Sequence, residues 1–464
     1  MRIAHDCSRR TGLVGVLCRL SSMNSHAAVA RALSAAFVAG ELDVDGLVAR
    51  GREVFGRRWR WLRPVARRLS TAFSDQTRPR QTAIADMLLA DRGFRNACRK
   101  YELHVANWLP PPATMCSVPV AGAWTVPSIC TAGQLADWLG VSVGELEWFA
   151  DTRGLEFKRC QERLRHYHYR PVAKRFGSVR LIEAPKPRLK EIQRRILTGI
   201  LNHIPVHSAA HGFRRNGSII SFAAPHAGRT VVLKIDLQDF FPSIRAARIQ
   251  ALFRTVGYPE NVADLLAGLC TNATPCDVWD DCCDASDDQK RHSRRLYADP
   301  HLPQGAPTSP ALANLCSFHL DCRLAGLARA AGAVYTRYAD DLAFSGDHAF
   351  SRVVKRFQLH VCATVMEEGF SIHHRKTRIM RQGVCQRLAG IVVNQRPNVP
   401  RDQFDRLKAT LVNCVRHGPD SQNRSGHDDF RSHLEGRISF VEMVNEAKGK
   451  CLRQLFRQIK WQLS

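Results

Sequence analysis

From residue 165 onward the apolar positions fall into short runs separated by turn residues. Residues 169–172 and 179–182 are two such runs around Lys174-Arg175-Phe176-Gly177, which predicts a hairpin. Over residues 189–204 the period changes: Ile192, Ile196, Leu197 and Ile200 fall on one side and Lys190, Arg194 and Arg195 on the other, predicting an amphipathic helix. Strands are expected at 231–237, 334–338, 342–345 and 391–394. Helices are expected at 259–269, 353–368, 401–415 and 440–463, with one long helix over 310–331 capped by Ser309. Upstream, the alanine-rich residues 25–39 predict a helix. Leu135, Leu139, Leu146 and Phe149 keep helical spacing on either side of Gly140. That pattern has the look of a helix-turn-helix, but it reads better as a packing element at the front of the following domain. Pro110, Pro111, Pro112, Pro119 and Pro127 mark a linker, since proline continues neither a helix nor a central strand. The order of elements is α+β, without a repeat.

Composition adds a partner to this picture. The 464 residues are 45% hydrophobic, enough for a large core and two to four domains. The 68 basic and 42 acidic residues leave a formal charge of +26, which points to a polyanion, because each neutralised phosphate releases counterions. Residues 50–68 are densely basic, with Phe55, Trp59 and Trp61 interleaved. This suits stacking on nucleic acid, or equally a solvated basic face with its tryptophans turned inward. The 16 cysteines form no even framework; Cys316, Cys322 and Cys362 lie in apolar runs, and a reducing cytoplasm is expected. No stretch reaches the ~20 apolar residues of a membrane span. Residues 11–20, bracketed by Arg9, Arg10 and Arg19, lack a cleavage site and read as no signal peptide; Met23 is an alternative start.

The candidate chemistry is carboxylate. Val231-Val232-Leu233-Lys234-Ile235-Asp236 is an apolar strand ending on an acid, and Tyr338-Ala339-Asp340-Asp341 sets two acids at a turn between apolar segments. Adjacent like charges are costly unless cations neutralise them. Mg²⁺ takes hard oxygen ligands, and two ions ~3.5–4 Å apart can activate a hydroxyl and stabilise a leaving pyrophosphate. Asp236 and Asp340 are the expected bridging pair, completed by Asp341.

These residues resemble the signature of reverse transcriptases, in order and in spacing. Tyr338-Ala339-Asp340-Asp341 is similar to their hallmark, Asp236-Leu237-Gln238-Asp239-Phe240-Phe241 to their first aspartate motif, and Leu302-Pro303-Gln304-Gly305-Ala306-Pro307-Thr308-Ser309-Pro310 to their middle motif in its retron form. His211-Gly212-Phe213 with Gly217-Ser218-Ile219 also resembles the bacterial retron branch. The resemblance covers the chain from about Leu135 and implies a right-hand polymerase fold. Its parts would be fingers at 131–230, a palm at 231–394 with a Cys/Asp-rich insertion near 270–296, and a helical thumb at 395–464, behind a basic helical extension at 1–130. The tail leaves no room for a ribonuclease H domain.

The resemblance also assigns roles. Asp236, Asp340 and Asp341 would be catalytic, with Leu237 beside them at a site for two Mg²⁺ that Mn²⁺ can replace. Lys174, Arg180, Asp239, Phe240, Phe241, Gln304, Gly305 and Lys376 would form the nucleotide pocket. Within it Phe241 would be a gate against the ribose 2′-hydroxyl, Lys174 and Arg180 a grip on the triphosphate, and Lys376 an aid to the leaving pyrophosphate. Tyr338, Ala339, Leu388, Ala389 and Gly390 would hold primer and template. The implied partners are a structured noncoding RNA, its DNA product, deoxynucleoside triphosphates and an effector protein encoded nearby, with no membrane. The implied product is a branched RNA-linked DNA used against phage.

Two elements depart from the retron pattern. Phe222-Ala223-Ala224-Pro225-His226 lacks its asparagine, and Leu388-Ala389-Gly390 replaces Val-Thr-Gly. In the insertion, Cys270, Cys276, Cys282 and Cys283, with His292 and His301 after them, do not have zinc spacing; an acidic surface loop is expected. Other readings are a reverse transcriptase of another defence or intron-derived lineage, an idle RNA-binding protein on the same scaffold, and a helix-turn-helix regulator.

Overall fold

The computed structural model describes residues 26–39, 42–74, 79–109, 114–158, 165–173, 179–280 and 287–461. They fall into two compact units. One comprises Met1–Ala123, Ser128–Val143 and Phe253–Leu265, and the other Trp124–Pro127, Gly144–Leu252 and Leu266–Ser464.

The first unit is helical. His26–Val38 is so rich in alanine and apolar residues that it is buried nearly all round. Val44–Phe55 starts where the Asp43 side chain accepts from Gly46 N and stops at Gly56 in the left-handed region. Leu62–Ala72, Gln81–Ala90 and Arg92–Lys100 complete a core around Leu33, Phe37, Leu47, Leu62, Leu69 and Phe94. Trp59 and Trp61 pack against this core: Trp61 meets Phe94 at 6.0 Å, and Trp59 meets Tyr101 at 4.9 Å. Of the two readings of this stretch, the tryptophans follow the inward one, while Arg58, Arg60 and Arg67 are exposed.

The second unit is built on antiparallel strands. β1 (Tyr167–Ala173) pairs with β2 (Val179–Pro185), and the turn between them, with Lys174, lies outside the described residues. β3 (Val231–Gln238), β4 (Val334–Tyr338), β5 (Asp341–Gly346), β6 (Ser371–Ile372) and β7 (Arg378–Arg381) form one sheet in the order β4-β5-β3, with β6 and β7 sharing the far edge of β3. β3 is buried at every position except Lys234 and Gln238, so residues of both its faces are covered. The helices Phe318–Ala330 and His348–Glu367 pack on the sheet, with Phe344 stacked on Tyr335 at 4.9 Å and edge-on to Phe357 at 5.2 Å. β8 (Arg387–Leu388) and β9 (Ile391–Val392) form a small hairpin whose Leu388 and Ile391 pack with Phe222 and Val232. The helices Arg401–His417, Phe430–Val444 and Glu446–Arg457 enclose their own core around Leu411, Ile438 and Leu452.

Several expectations are corrected. The long helix over 310–331 is two, Ser309–Cys316 and Phe318–Ala330, with a bend at Ser317 through which the hydrogen-bond ladder continues. Ser309 does not cap it: its Oγ donates to Pro303 O at 2.6 Å, tying the helix start to the preceding loop. The helix over 353–368 begins earlier, at His348, because Asp347 accepts from Ala349 and Phe350 N. The stretch 440–463 is divided at Asn445, whose side chain caps Lys448 N. Of the three cysteines in apolar runs, Cys316 is buried, Cys362 half-buried and Cys322 exposed. Among the described residues no helix is long and apolar enough to cross a membrane.

Candidate active site

The sheet register brings the acids together. Asp236 on β3 pairs directly with Asp341 on β5, and Tyr338 pairs with Asp341 across the β4–β5 hairpin. The two-residue turn is therefore Ala339-Asp340, and Asp341 already belongs to the strand. Ala339 has φ +55°, in the left-handed region that favours glycine. Leu237 N donates to Asp340 O at 2.9 Å, so the turn is stitched to the strand that carries Asp236.

The electrostatics are those of crowded anions beside lysines. Lys376 Nζ lies 3.0 and 3.2 Å from the carboxylate oxygens of Asp236, and Lys234 Nζ 2.9 Å from Asp341 Oδ1. Burial, then the charges of Asp341 and Asp236, push the Asp340 carboxyl up to about 6. Burial also raises Asp341, against the pull of Lys234. Among the described residues no three His, Cys, Asp or Glu side chains are drawn into a formed metal cage. Asp236 and Asp341 instead hold ammonium groups. The donor set still suits a hard divalent cation: carboxylate oxygens are its preferred ligands, and ionising Asp340 becomes easier beside it.

A cleft of about 690 Å³ opens over these groups. Asp236, Leu237, Asp239, Phe240, Phe241, Gln304, Ala339, Asp340, Lys376 and Arg180 line it. Asp239 sits at φ +47°, at the start of the short helix Phe240–Ser243. Gly305 has φ +138°, and a Cβ there would come within 2.8 Å of Glu183 O, so only glycine fits. Asp341, Gly305 and Tyr338 are not in the cleft wall. Leu388, Ala389 and Gly390 belong to the β8–β9 hairpin, where Leu388 and Ala389 pack in the same apolar cluster as Tyr338.

Sequence reasoning missed part of this wall. Phe213, at φ +58°, faces Phe241 at 6.0 Å and Tyr338 at 6.5 Å. His292, Ser293, Leu296 and Tyr297 line the cleft from the helix Asp287–Ala298. The segment expected to be an acidic surface loop therefore contributes a cleft wall in its described part. The signal was present in its basic, helix-spaced second half, masked by the aspartates before it. Cys276 is exposed, and Cys282 and Cys283 lie outside the described residues.

The reverse transcriptase (RNA-dependent DNA polymerase) family matches residues 172–407. The retron Mx65 reverse transcriptase of Myxococcus xanthus is 42% identical over 326 residues, 69% of this chain and 70% of that one. The chain belongs to the retron-type reverse transcriptases. The retron Mx162 enzyme of the same organism is 37% identical, covering 69% of this chain and 65% of its own length. The retron Ec86 enzyme of Escherichia coli is 30% identical, covering 58% and 72%. A solved foamy viral protease–reverse transcriptase in complex with double-stranded DNA aligns at 16% identity with a TM-score of 0.33, over 64% of this chain and 41% of that one.

In this RNA-directed DNA polymerase a buried arginine, overlooked in the sequence, stands behind the acidic turn. Arg337 is fully buried and grips Asp321 with two bonds, Nε at 2.8 Å and Nη2 at 2.6 Å. Its Nη1 donates to Asn314 Oδ1 at 3.0 Å and to Ala339 O at 3.2 Å. Asn314 Nδ2 in turn donates to Gly212 O at 2.7 Å. Across the hairpin, buried His226 bridges Ser345 Oγ and Thr336 Oγ1, each at 2.7 Å. The reverse transcriptase thus holds its strained alanine by polar groups with partners on several elements.

Proposed function

We propose that this reverse transcriptase extends a DNA strand on its own structured noncoding RNA by two-metal nucleotidyl transfer, giving a branched RNA-linked single-stranded DNA for antiphage defence. The observation that carries this reading is the pairing of Asp236 with Asp341 beside the Ala339-Asp340 turn, at the floor of a cleft. Asp236, Asp340 and Asp341 would hold two Mg²⁺, replaceable by Mn²⁺, with Leu237 alongside. The ions would supply charge neutralisation and an acidified attacking hydroxyl. Lys376 Nζ, already on Asp236, donates a proton toward the departing pyrophosphate. Arg180 and Lys174 bind the triphosphate, Gln304, Asp239 and Phe240 form the pocket, and Gly305 lets the Gln304 loop lie close against β2. Phe241, backed by Phe213, excludes a ribose 2′-hydroxyl. Tyr338, Ala339 and the 388–390 turn steady primer and template.

In this reading residues 131–230 are fingers, 231–394 palm and 395–464 thumb, with 1–130 an added helical segment. The first strand starts from a 2′-hydroxyl of the RNA, and an effector encoded nearby completes the defence system.

The test is to express the gene with its native flanking DNA, extract nucleic acid and treat it with ribonuclease. A short resistant DNA joined to RNA is expected, and Asp340→Asn abolishes it, with primer extension on RNA falling by at least about a thousandfold. Persistence of that product in the variant overturns the mechanism.

A further inference from the structure

The loop that carries Gln304 and Gly305 is held from behind by a buried acid–histidine pair. Glu183 on β2 and His301 are both fully buried, and neither lines the cleft. Glu183 Oε2 lies 3.0 Å from His301 Nε2. Its Oε1 accepts from Asn272 Nδ2 at 2.8 Å and from Thr274 Oγ1 at 2.9 Å. His301 Nδ1 lies 2.8 Å from Asp299 O; a carbonyl only accepts, so Nδ1 carries the hydrogen. The main chain repeats the connection. Glu183 N donates to Gln304 O at 2.9 Å, His301 and Asn272 exchange backbone bonds at 2.9 and 3.0 Å, and Leu302 N donates to Ile244 O at 3.0 Å. Tyr297, a cleft residue, sets its ring edge-on to His301 at 5.0 Å.

A buried carboxylate is costly unless its oxygens are satisfied, and removing one partner of such a set costs more than the set contributes. The partners of Glu183 lie in 272–274, in 299–302, whose chain runs directly into the cleft residue Gln304, and, through the backbone, in Gln304 itself. The loop is pressed so closely on β2 that Gly305 has no room for a side chain. A shift of β2 or of His301 therefore moves Gln304.

We propose that the Glu183–His301 pair is the positioning device of the nucleotide pocket. It fixes the 299–305 loop so that Gln304 meets the incoming deoxynucleoside triphosphate at a set place, and it governs nucleotide affinity rather than the rate of chemistry. This rests on the assignment of Gln304 to the nucleotide pocket made above.

Steady-state extension on an RNA template with a DNA primer, with the dNTP and the primer–template varied separately, tests the pair. Glu183→Ala strands His301, Asn272 and Thr274 and raises the KM for dNTP about tenfold, with kcat and the primer–template KM unchanged. In Glu183→Gln the amide oxygen accepts from Asn272 and Thr274, and its NH₂ faces His301 Nε2. That variant stays within about twofold of the parent. His301→Gln keeps a donor for Glu183 but drops the tie to Asp299, so KM rises about threefold, and it serves if Glu183→Ala does not fold. Folded Glu183→Ala or His301→Gln with parental dNTP KM, or with reduced kcat at unchanged KM, overturns the proposal. Gln304→Ala separates the two claims. A raised dNTP KM there, with none in the pair variants, removes only the positioning role. An unchanged KM in Gln304→Ala removes the pocket assignment itself.

Discussion

The turn at Ala339-Asp340 and the turn at Ala389-Gly390 both place an alanine at positive φ, +55° and +45°. A residue with a Cβ gives up about 1 kcal/mol in that region. At 389 the following residue is Gly390, itself at φ +85°, so the tight β8–β9 turn is otherwise well suited to its sequence; an apolar cluster around Leu388 and Ile391 packs beside it, and the bonds of Gln386 and Asn394 lie at the base of the hairpin rather than at the turn. At 339 the following residue is an aspartate in a half-buried anionic site, which adds repulsion to strain. That turn is held by Arg337, Asn314 and the backbone bond from Leu237, on a hairpin bridged by His226. The same backbone compromise is thus kept at 389 by fully buried apolar side chains beside the turn, and at 339, where it aims a carboxylate, by directed polar bonds to the carbonyls of the turn itself.

Removing the directed support is the most severe way to break the contrast. Arg337→Met leaves Asp321 buried with, among the described residues, only Tyr335 Oη donating to it, and is expected to cost about 3–5 kcal/mol in denaturant unfolding. Adding Asp321→Leu recovers much of that loss; a single variant within 1 kcal/mol of the parent would show, on the same scale, that the arginine is not needed.

A smaller effect comes from pH. Burial first, then Arg229 and His211, push the His226 imidazole down to about 3. The folded chain therefore keeps it neutral, while the unfolded chain takes up a proton below its ordinary value near 6.5. Stability present above pH 6.5 is lost as pH falls toward 3. Between pH 7.5 and 5 the parent should lose up to about 2 kcal/mol more than His226→Gln, read from denaturant midpoints. Parallel pH curves for the two would contradict this account of the hairpin.

The smallest effects sharpen the comparison. Ala389→Gly relieves strain against a more flexible unfolded chain, a net gain of a few tenths of a kcal/mol, with kcat at saturating primer–template unchanged. Ala339→Gly gives the same relief but slows extension, because the turn loses its defined direction. Equal extension rates in both variants would make the two turns equivalent.

The strands and their acids were legible because β3 and β5 carry short apolar runs, Val231-Val232-Leu233 and Leu342-Ala343-Phe344, next to the acids, and one short turn links β4 to β5. The two-residue turn sets Tyr338 opposite Asp341, while Asp236 opposite Asp341 comes from the separate β3–β5 pairing, which no local pattern encodes. The bend at Ser317 was not legible, since the apolar spacing runs through it unbroken. Nor was the division at Asn445, which depends on a side chain turning back to cap Lys448. Glu183 and His301 stand 118 positions apart, and no local pattern announces that they meet. The helix Asp287–Ala298 was hidden by its neighbours: a run of aspartates dominates the composition of a segment whose basic end faces the cleft.

Gly212 carries a further consequence. A Cβ there would come within 2.8 Å of Ala339 N, the main chain of the acidic turn, which cannot yield as a flexible side chain would. A selection for DNA synthesis over randomised codons would therefore return glycine at 212 almost as strictly as aspartate at 340, although glycine offers no group to any substrate. A map of intolerant positions on this enzyme would trace the shape of its backbone as much as its chemistry.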